Sequence, residues 1–126
     1  MRVQLRRTKG WRKPAWAVSV ARPGPFGNPY RAEKCVGGWA VYDRGCLASE
    51  VHRGFLSRYE FRDNAIRRAI ELYRYWINHP EQVALRNRIR ATFALSTGKV
   101  PACWCPLDSP CHADVILEVA NTPMEG

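Results

Sequence analysis

The stretch Val100-Pro101-Ala102-Cys103-Trp104-Cys105-Pro106-Leu107-Asp108-Ser109-Pro110-Cys111-His112-Ala113-Asp114-Val115-Ile116-Leu117-Glu118-Val119-Ala120 reads as a strand, a loop and a helix in one run. Val100 to Cys105 is a short apolar segment closed by Pro106, the pattern of a buried strand. Val115, Ile116, Val119 and Ala120 recur at helical spacing, so a helix runs from about Cys111 to Asn121 and stops before Pro123. Between them, residues 103–112 hold three of the five cysteines and one of the three histidines. Thiol and imidazole groups are thus concentrated where a strand hands over to a helix, the edge where open α/β sheets bind ligands.

Working upstream, Ala15 to Ala21 is apolar, bounded by Pro14 and by Arg22-Pro23-Gly24-Pro25, and reads as a second buried strand. Val3-Gln4-Leu5 alternates weakly and suits a short edge strand. Gly37-Gly38 marks a turn before Trp39-Ala40-Val41-Tyr42, a further strand, while the pattern from Asp43 to Arg62 assigns nothing. Ile66, Ala69, Ile70, Tyr73 and Ile77 form one helical face after a cap at Asp63 or Asn64. Pro80 stops that helix and opens another, with Leu85, Ile89, Thr92 and Phe93 inward and Gly98 as its stop. A strand, a helical pair, a strand and a helix imply a right-handed crossover between parallel strands. The loops after Ala21 and Cys105 then share one sheet edge. The expected fold is a single small α/β domain over residues 1–126. It has a mixed three- to four-stranded sheet, about three helices and a basic N-terminal arm over residues 1–14.

Composition narrows the function. The chain has 126 residues and a net charge of +9. The first 32 residues carry eight Lys/Arg and no acid, which is +8 of that total. Such asymmetry draws polyanions or phosphorylated small molecules. No run of about eighteen apolar residues is present, so no membrane span is expected. The basic N-terminus lacks the apolar stretch of a secretory signal, and an odd cysteine count argues against a disulfide framework. A cytoplasmic location, in a reducing compartment, follows as the expectation. The acids are scattered, which argues against a glycosidase-like or two-metal carboxylate site, and no Walker loop occurs.

Three chemistries stay open for the cluster. Cys103, Cys105, Cys111 and His112 form a Cys3His set suited to zinc. Alternate residues of a strand lie roughly 7 Å apart, so the strand must turn at its end, and Cys111 and His112 can share an ion only at a bent helix start. Alternatively Cys111, at a helix N-terminus, is a reactive thiolate with His112 as base and Asp114 orienting the imidazole. Neighbours in sequence rarely face one another, which counts against that pair. Thirdly, the cysteines pack as small apolar groups, with Trp104 on the opposite strand face and His112 or Ser109 capping the helix. Cys35, Cys46 and His52 read as ordinary, and His79 as a cap before Pro80.

The proline-glycine loop supplies ligand-binding candidates. Arg22 can grip a phosphate with two parallel bonds, Gly24 and Gly27 let backbone approach closely, and Phe26 and Asn28 complete the set with Trp104. In the arm, Arg6, Arg7, Lys9, Trp11, Arg12 and Lys13 combine cations with an indole, a pattern suited to nucleic acid and equally to a solvated basic face.

Arg7-Thr8-Lys9-Gly10-Trp11-Arg12, Arg22-Pro23 with Phe26-Gly27-Asn28-Pro29, Gly98-Lys99, Cys103-Trp104-Cys105-Pro106-Leu107 and Pro110-Cys111-His112-Ala113-Asp114-Val115 together resemble the domain of unknown function 4326 family. The resemblance is loosest over residues 35–63, which look like a variable insertion. It implies a small protein of bacteriophages or bacteria in which the two loops act together, and it implies no reaction. The leading expectation is a phage-type accessory protein, in the host cytoplasm if phage-encoded. It binds an anionic ligand, a nucleotide or nucleic acid, at the C-terminal edge of its sheet, with zinc as the candidate cofactor. The alternatives are an enzyme of nucleotide or modified-base metabolism, using Cys111 or a metal-bound water, and a small protein that docks on a host or phage protein partner.

Overall fold

β6 (Val100–Cys103) lies between β1 (Val3–Gln4) and β2 (Ala17–Ser19), parallel to both. The ladders continue past the strand ends, where Leu5 N–H donates to the Cys103 carbonyl and Val20 N–H to that of Ala102, each at 2.8 Å. A central parallel strand is covered on both faces, which is why β6 reads as an apolar run. β3 (Tyr30–Cys35), β4 (Gly38–Asp43) and β5 (Phe55–Tyr59) form a separate antiparallel meander. The β3–β4 turn places Gly37 at φ 79° and Gly38 at φ 154°, conformations that a side chain would strain. This computed structural model describes residues 1–22, 24–44 and 55–126; Pro23, Cys46 and His52 lie outside the described residues.

Among the described residues three α-helices complete the fold: α1 (Arg62–Ile77), α2 (Val83–Phe93) and α3 (His112–Ala120). α1 joins the two sheets, since Ala65 and Ala69 pack against Val41 of the meander while Tyr73 and Ile77 enter the main core with Val20, Ile89 and Ile116. No helix among the described residues is long and apolar enough to cross a membrane.

The α/β class and the three helices match the sequence reading, with two corrections of architecture. The strands divide into two sheets of three where one mixed sheet was expected. β3 and β5 carry mostly half-buried or exposed side chains, so neither shows the strict alternation that marks a strand. Also, α1 begins at Arg62 with Phe61 at its N-cap and no side-chain cap, so neither Asp63 nor Asn64 has that role. Asp63 instead sits in the first turn, where its charge suits the helix dipole. Thr92 is only half-buried, its hydroxyl donating to the Arg88 carbonyl at 2.8 Å. His79 does cap the turn at Pro80, its Nδ1 accepting from Glu81 N–H at 3.2 Å.

Arg86 and Arg90 of α2 are buried, and both pair with Glu125, at 2.7 and 2.6 Å. Their hydrogen bonds hold the Glu125 carboxyl down to about 2. A depressed carboxyl contributes stability that is complete above its unfolded value and lost as pH falls through its folded one. Glu125→Gln should therefore melt below the wild type at neutral pH, and the gap should close between the ordinary carboxyl value of 4.5 and about pH 2. Thermal melts of both proteins across that range check this.

Candidate functional site

Cys103 is the last residue of β6, and the chain bends immediately after it. The bend brings the Cys103 and Cys105 sulfurs to 3.7 Å, far closer than a continuous strand allows. Cys111 is the N-cap of α3, extended at φ −150° and ψ 147°, with its sulfur accepting from Ala113 N–H at 3.5 Å. Helical backbone starts at His112, so the change of direction turns these two neighbours together, with Cys111 Sγ 3.8 Å from His112 Nδ1. This is the bent helix start that a shared ion requires. One ligand atom each from Cys103, Cys111 and His112 lies within 4.8 Å of the others, and all three residues are buried. The four described cysteines are free.

The imidazole is held in one orientation. His112 Nε2 lies 2.8 Å from the Val20 carbonyl, which can only accept, so Nε2 carries the proton and Nδ1 turns its lone pair toward the sulfurs. Tyr73 packs edge-on against the ring at 5.3 Å, and its hydroxyl donates to the Phe26 carbonyl at 3.1 Å. Burial pushes the Tyr73 phenol up, so it stays a donor. Hydrogen bonds from Cys105 and Cys111 hold the Cys103 thiol well below its ordinary range, and bonding to that sulfur pushes Cys105 and Cys111 up. A histidine tautomer fixed by a backbone carbonyl and facing cysteine sulfurs is a donor set that could hold a metal ion. Asp114 does not orient the imidazole: its carboxylate lies 3.6 Å from Arg2 Nε, and the Val20 carbonyl has that role instead.

The cluster opens onto a cleft of about 560 Å3 at the C-terminal ends of β2 and β6. Both loops line it, contributing Arg22 and Asn28 from one and Trp104, Cys105, Ser109 and Cys111 from the other. Arg31 of β3 and Arg62 of α1 add two more guanidiniums, Ile66 and Ile70 form an apolar wall, and no carboxylate is among the lining residues. Arg22 is anchored by one nitrogen that donates to the Asn28 and Tyr30 carbonyls. Burial lowers its pKa, the nearby Arg31 lowers it further, and the thiols of Cys103 and Cys105 oppose the shift. Among the described residues Arg31 and Arg62 make no hydrogen bond or ion pair through their guanidiniums, although Arg62 stacks 5.7 Å from the Trp39 ring.

The other expected site residues are placed differently. Asn28 lines the cleft yet clamps the loop, its amide donating to the Ala69 carbonyl at 3.2 Å and accepting from Tyr30 N–H at 2.8 Å. Phe26 is buried in the core against Phe93, with ring centroids 5.4 Å apart. Gly24 and Gly27 shape the loop through successive turns, and a Cβ on Gly27 would stand 2.9 Å from the Arg22 stem. Trp104 is half-exposed with the Arg7 guanidinium 4.8 Å from its ring, so it does not pack beneath the strand. In the arm, Lys13 donates to the Ala17 carbonyl at 2.6 Å, Trp11 is half-buried, and Arg6, Lys9 and Arg12 are exposed. Arg2, Arg31 and Arg62 were not singled out from sequence. Arg2 and Arg31 belong to the acid-free basic stretch, which was their only signal, and Arg62 had none.

These features define a small α/β domain whose sheet edge carries a buried thiol–imidazole cluster beneath a basic cleft. The chain belongs to the family described as Domain of unknown function (DUF4326), which it matches over residues 3–122, and the resemblance drawn from its motifs therefore holds. No curated protein and no solved structure matches it.

Proposed function

We propose that this protein binds a nucleotide-sized phosphorylated ligand in the Arg22–Arg31–Arg62 cleft, above a zinc ion held by Cys103, Cys111 and His112. The observation that carries the reading is the cleft's charge: three guanidiniums, two of them without a hydrogen-bond or ion-pair partner among the described residues, and no lining carboxylate. Guanidinium forks match phosphate oxygens, and a cavity of this size suits a small molecule. Ile66, Ile70 and the Trp104 indole offer apolar surface to a base. A polymer tracked by the arm has less support, because Arg7 and Lys13 are already engaged within the fold. A nucleophilic Cys111 also has less support: its sulfur is buried and caps α3. The role this fits is that of an accessory binder in a bacterial or phage-infected cytoplasm, where thiols stay reduced.

Calorimetric titration of the full chain with a panel of 5′-mononucleotides tests the reading. Binding should weaken with added salt and be displaced by inorganic phosphate. No heat with any mononucleotide, alongside tight binding of an oligonucleotide, would replace the cleft by an extended surface.

A further inference from the structure

Among the described residues two buried side-chain polar atoms have no hydrogen-bond partner, Ser57 Oγ and Arg2 Nη1, and the second is the informative one. The Arg2 side chain is 8 % exposed, and its Nη1 is buried without a hydrogen bond. The rest of the guanidinium is engaged: Nη2 donates to the carbonyls of Pro106, Leu107 and Ser109, and Nε faces the half-exposed Asp114 carboxylate at 3.6 Å. Arg2 therefore holds the loop that joins Cys105 to Cys111. Asp114 is half-exposed and meets only Nε, so the buried Nη1 keeps an unused N–H, which is costly unless an acceptor of its own stands nearby.

Cys105 completes the picture. Its sulfur is 3.7 Å from that of Cys103, it stands outside the 4.8 Å group of Cys103, Cys111 and His112, and it lines the same cleft as those residues. Three thiolates and one neutral imidazole around a divalent zinc ion leave one net negative charge, which burial penalises unless it is matched. We infer that Cys105 is the fourth ligand of the centre and that Arg2, immediately before β1, is its charge partner. The inference rests on the zinc reading above and deepens it. Four protein ligands leave no open position, so the ion is structural: it ties β6 to α3 and fastens the N-terminal strand over the metal loop.

Two measurements on the full-length protein test this. X-ray absorption at the zinc edge counts the neighbours in the wild type and should find three sulfurs and one lighter atom. Two sulfurs with two lighter atoms would overturn the role of Cys105. Chelator-driven release then tests Arg2. Arg2→Gln should still bind one zinc but release it roughly 10- to 100-fold faster, as loss of an outer partner does elsewhere, while Arg2→Lys, which keeps the charge, should stay nearer the wild type. Release from Arg2→Gln at the wild-type rate would overturn the role of Arg2. A wild-type chain that takes up no zinc would instead overturn the zinc reading itself.

Discussion

Chelation of the metal is expected to lower the melting midpoint of the wild-type protein by on the order of 10 °C or more. The donors lie on separate elements, Cys103 at the end of β6 and Cys111 with His112 at the start of α3. His112 extends the link to β2 through the Val20 carbonyl, which follows that strand directly. Metal affinity for the folded chain adds to folding free energy, about 10–16 kcal/mol in small zinc peptides. Whole domains are stable by only about 5–15 kcal/mol. A domain of this size moves its midpoint by roughly 4 °C per kcal/mol, so even a quarter of such a contribution is easily measured. Cys103→Ser should produce a comparable loss, and chelator should add nothing further to that variant, because both remove the same interaction. Differential scanning calorimetry of the four samples checks the cycle. An unchanged wild-type midpoint would mean that the sulfurs are held by packing alone.

The second large effect concerns the cleft. Arg31→Ala and Arg62→Ala should each weaken mononucleotide binding about tenfold or more, the range expected from losing a charge-assisted hydrogen bond of roughly 1.5–3 kcal/mol. Neither should lower stability appreciably, because neither guanidinium is hydrogen-bonded or ion-paired among the described residues. Arg31→Ala should even relieve Arg22, whose charge Arg31 opposes. Arg22→Ala should behave differently. Its guanidinium anchors the Asn28 and Tyr30 carbonyls, so both binding and melting midpoint should fall. Parallel calorimetry and thermal melts separate the two behaviours. Loss of stability in Arg62→Ala with no change in affinity would contradict the assignment.

How much of this was legible before the structure depends on the signal each element carries. β6 and α3 were readable because a central parallel strand is apolar throughout and an amphipathic helix repeats its pattern. The meeting of the two loops followed from parallel strands sharing one edge. β3 and β5 were not readable: their half-exposed faces break the alternation on which such a reading depends. The cluster's residue types were plain, whereas its geometry was not. Both obstacles, the spacing of Cys103 and Cys105 and the adjacency of Cys111 and His112, disappear through backbone bends that no spacing encodes. The imidazole's partner illustrates the same point. Asp114 was the sequence candidate, yet a main-chain carbonyl on another strand holds the ring. Arg62 reaches the cleft only because α1 packs across both sheets, a tertiary arrangement that local pattern does not carry.

The most direct measurement is a native mass spectrum of the full chain, purified without chelator and mixed with a 5′-mononucleotide. The expected species carries one zinc ion and one nucleotide per chain, and denaturation should return the bare polypeptide mass. A native spectrum containing only the bare mass, with neither zinc nor nucleotide retained, would contradict the account.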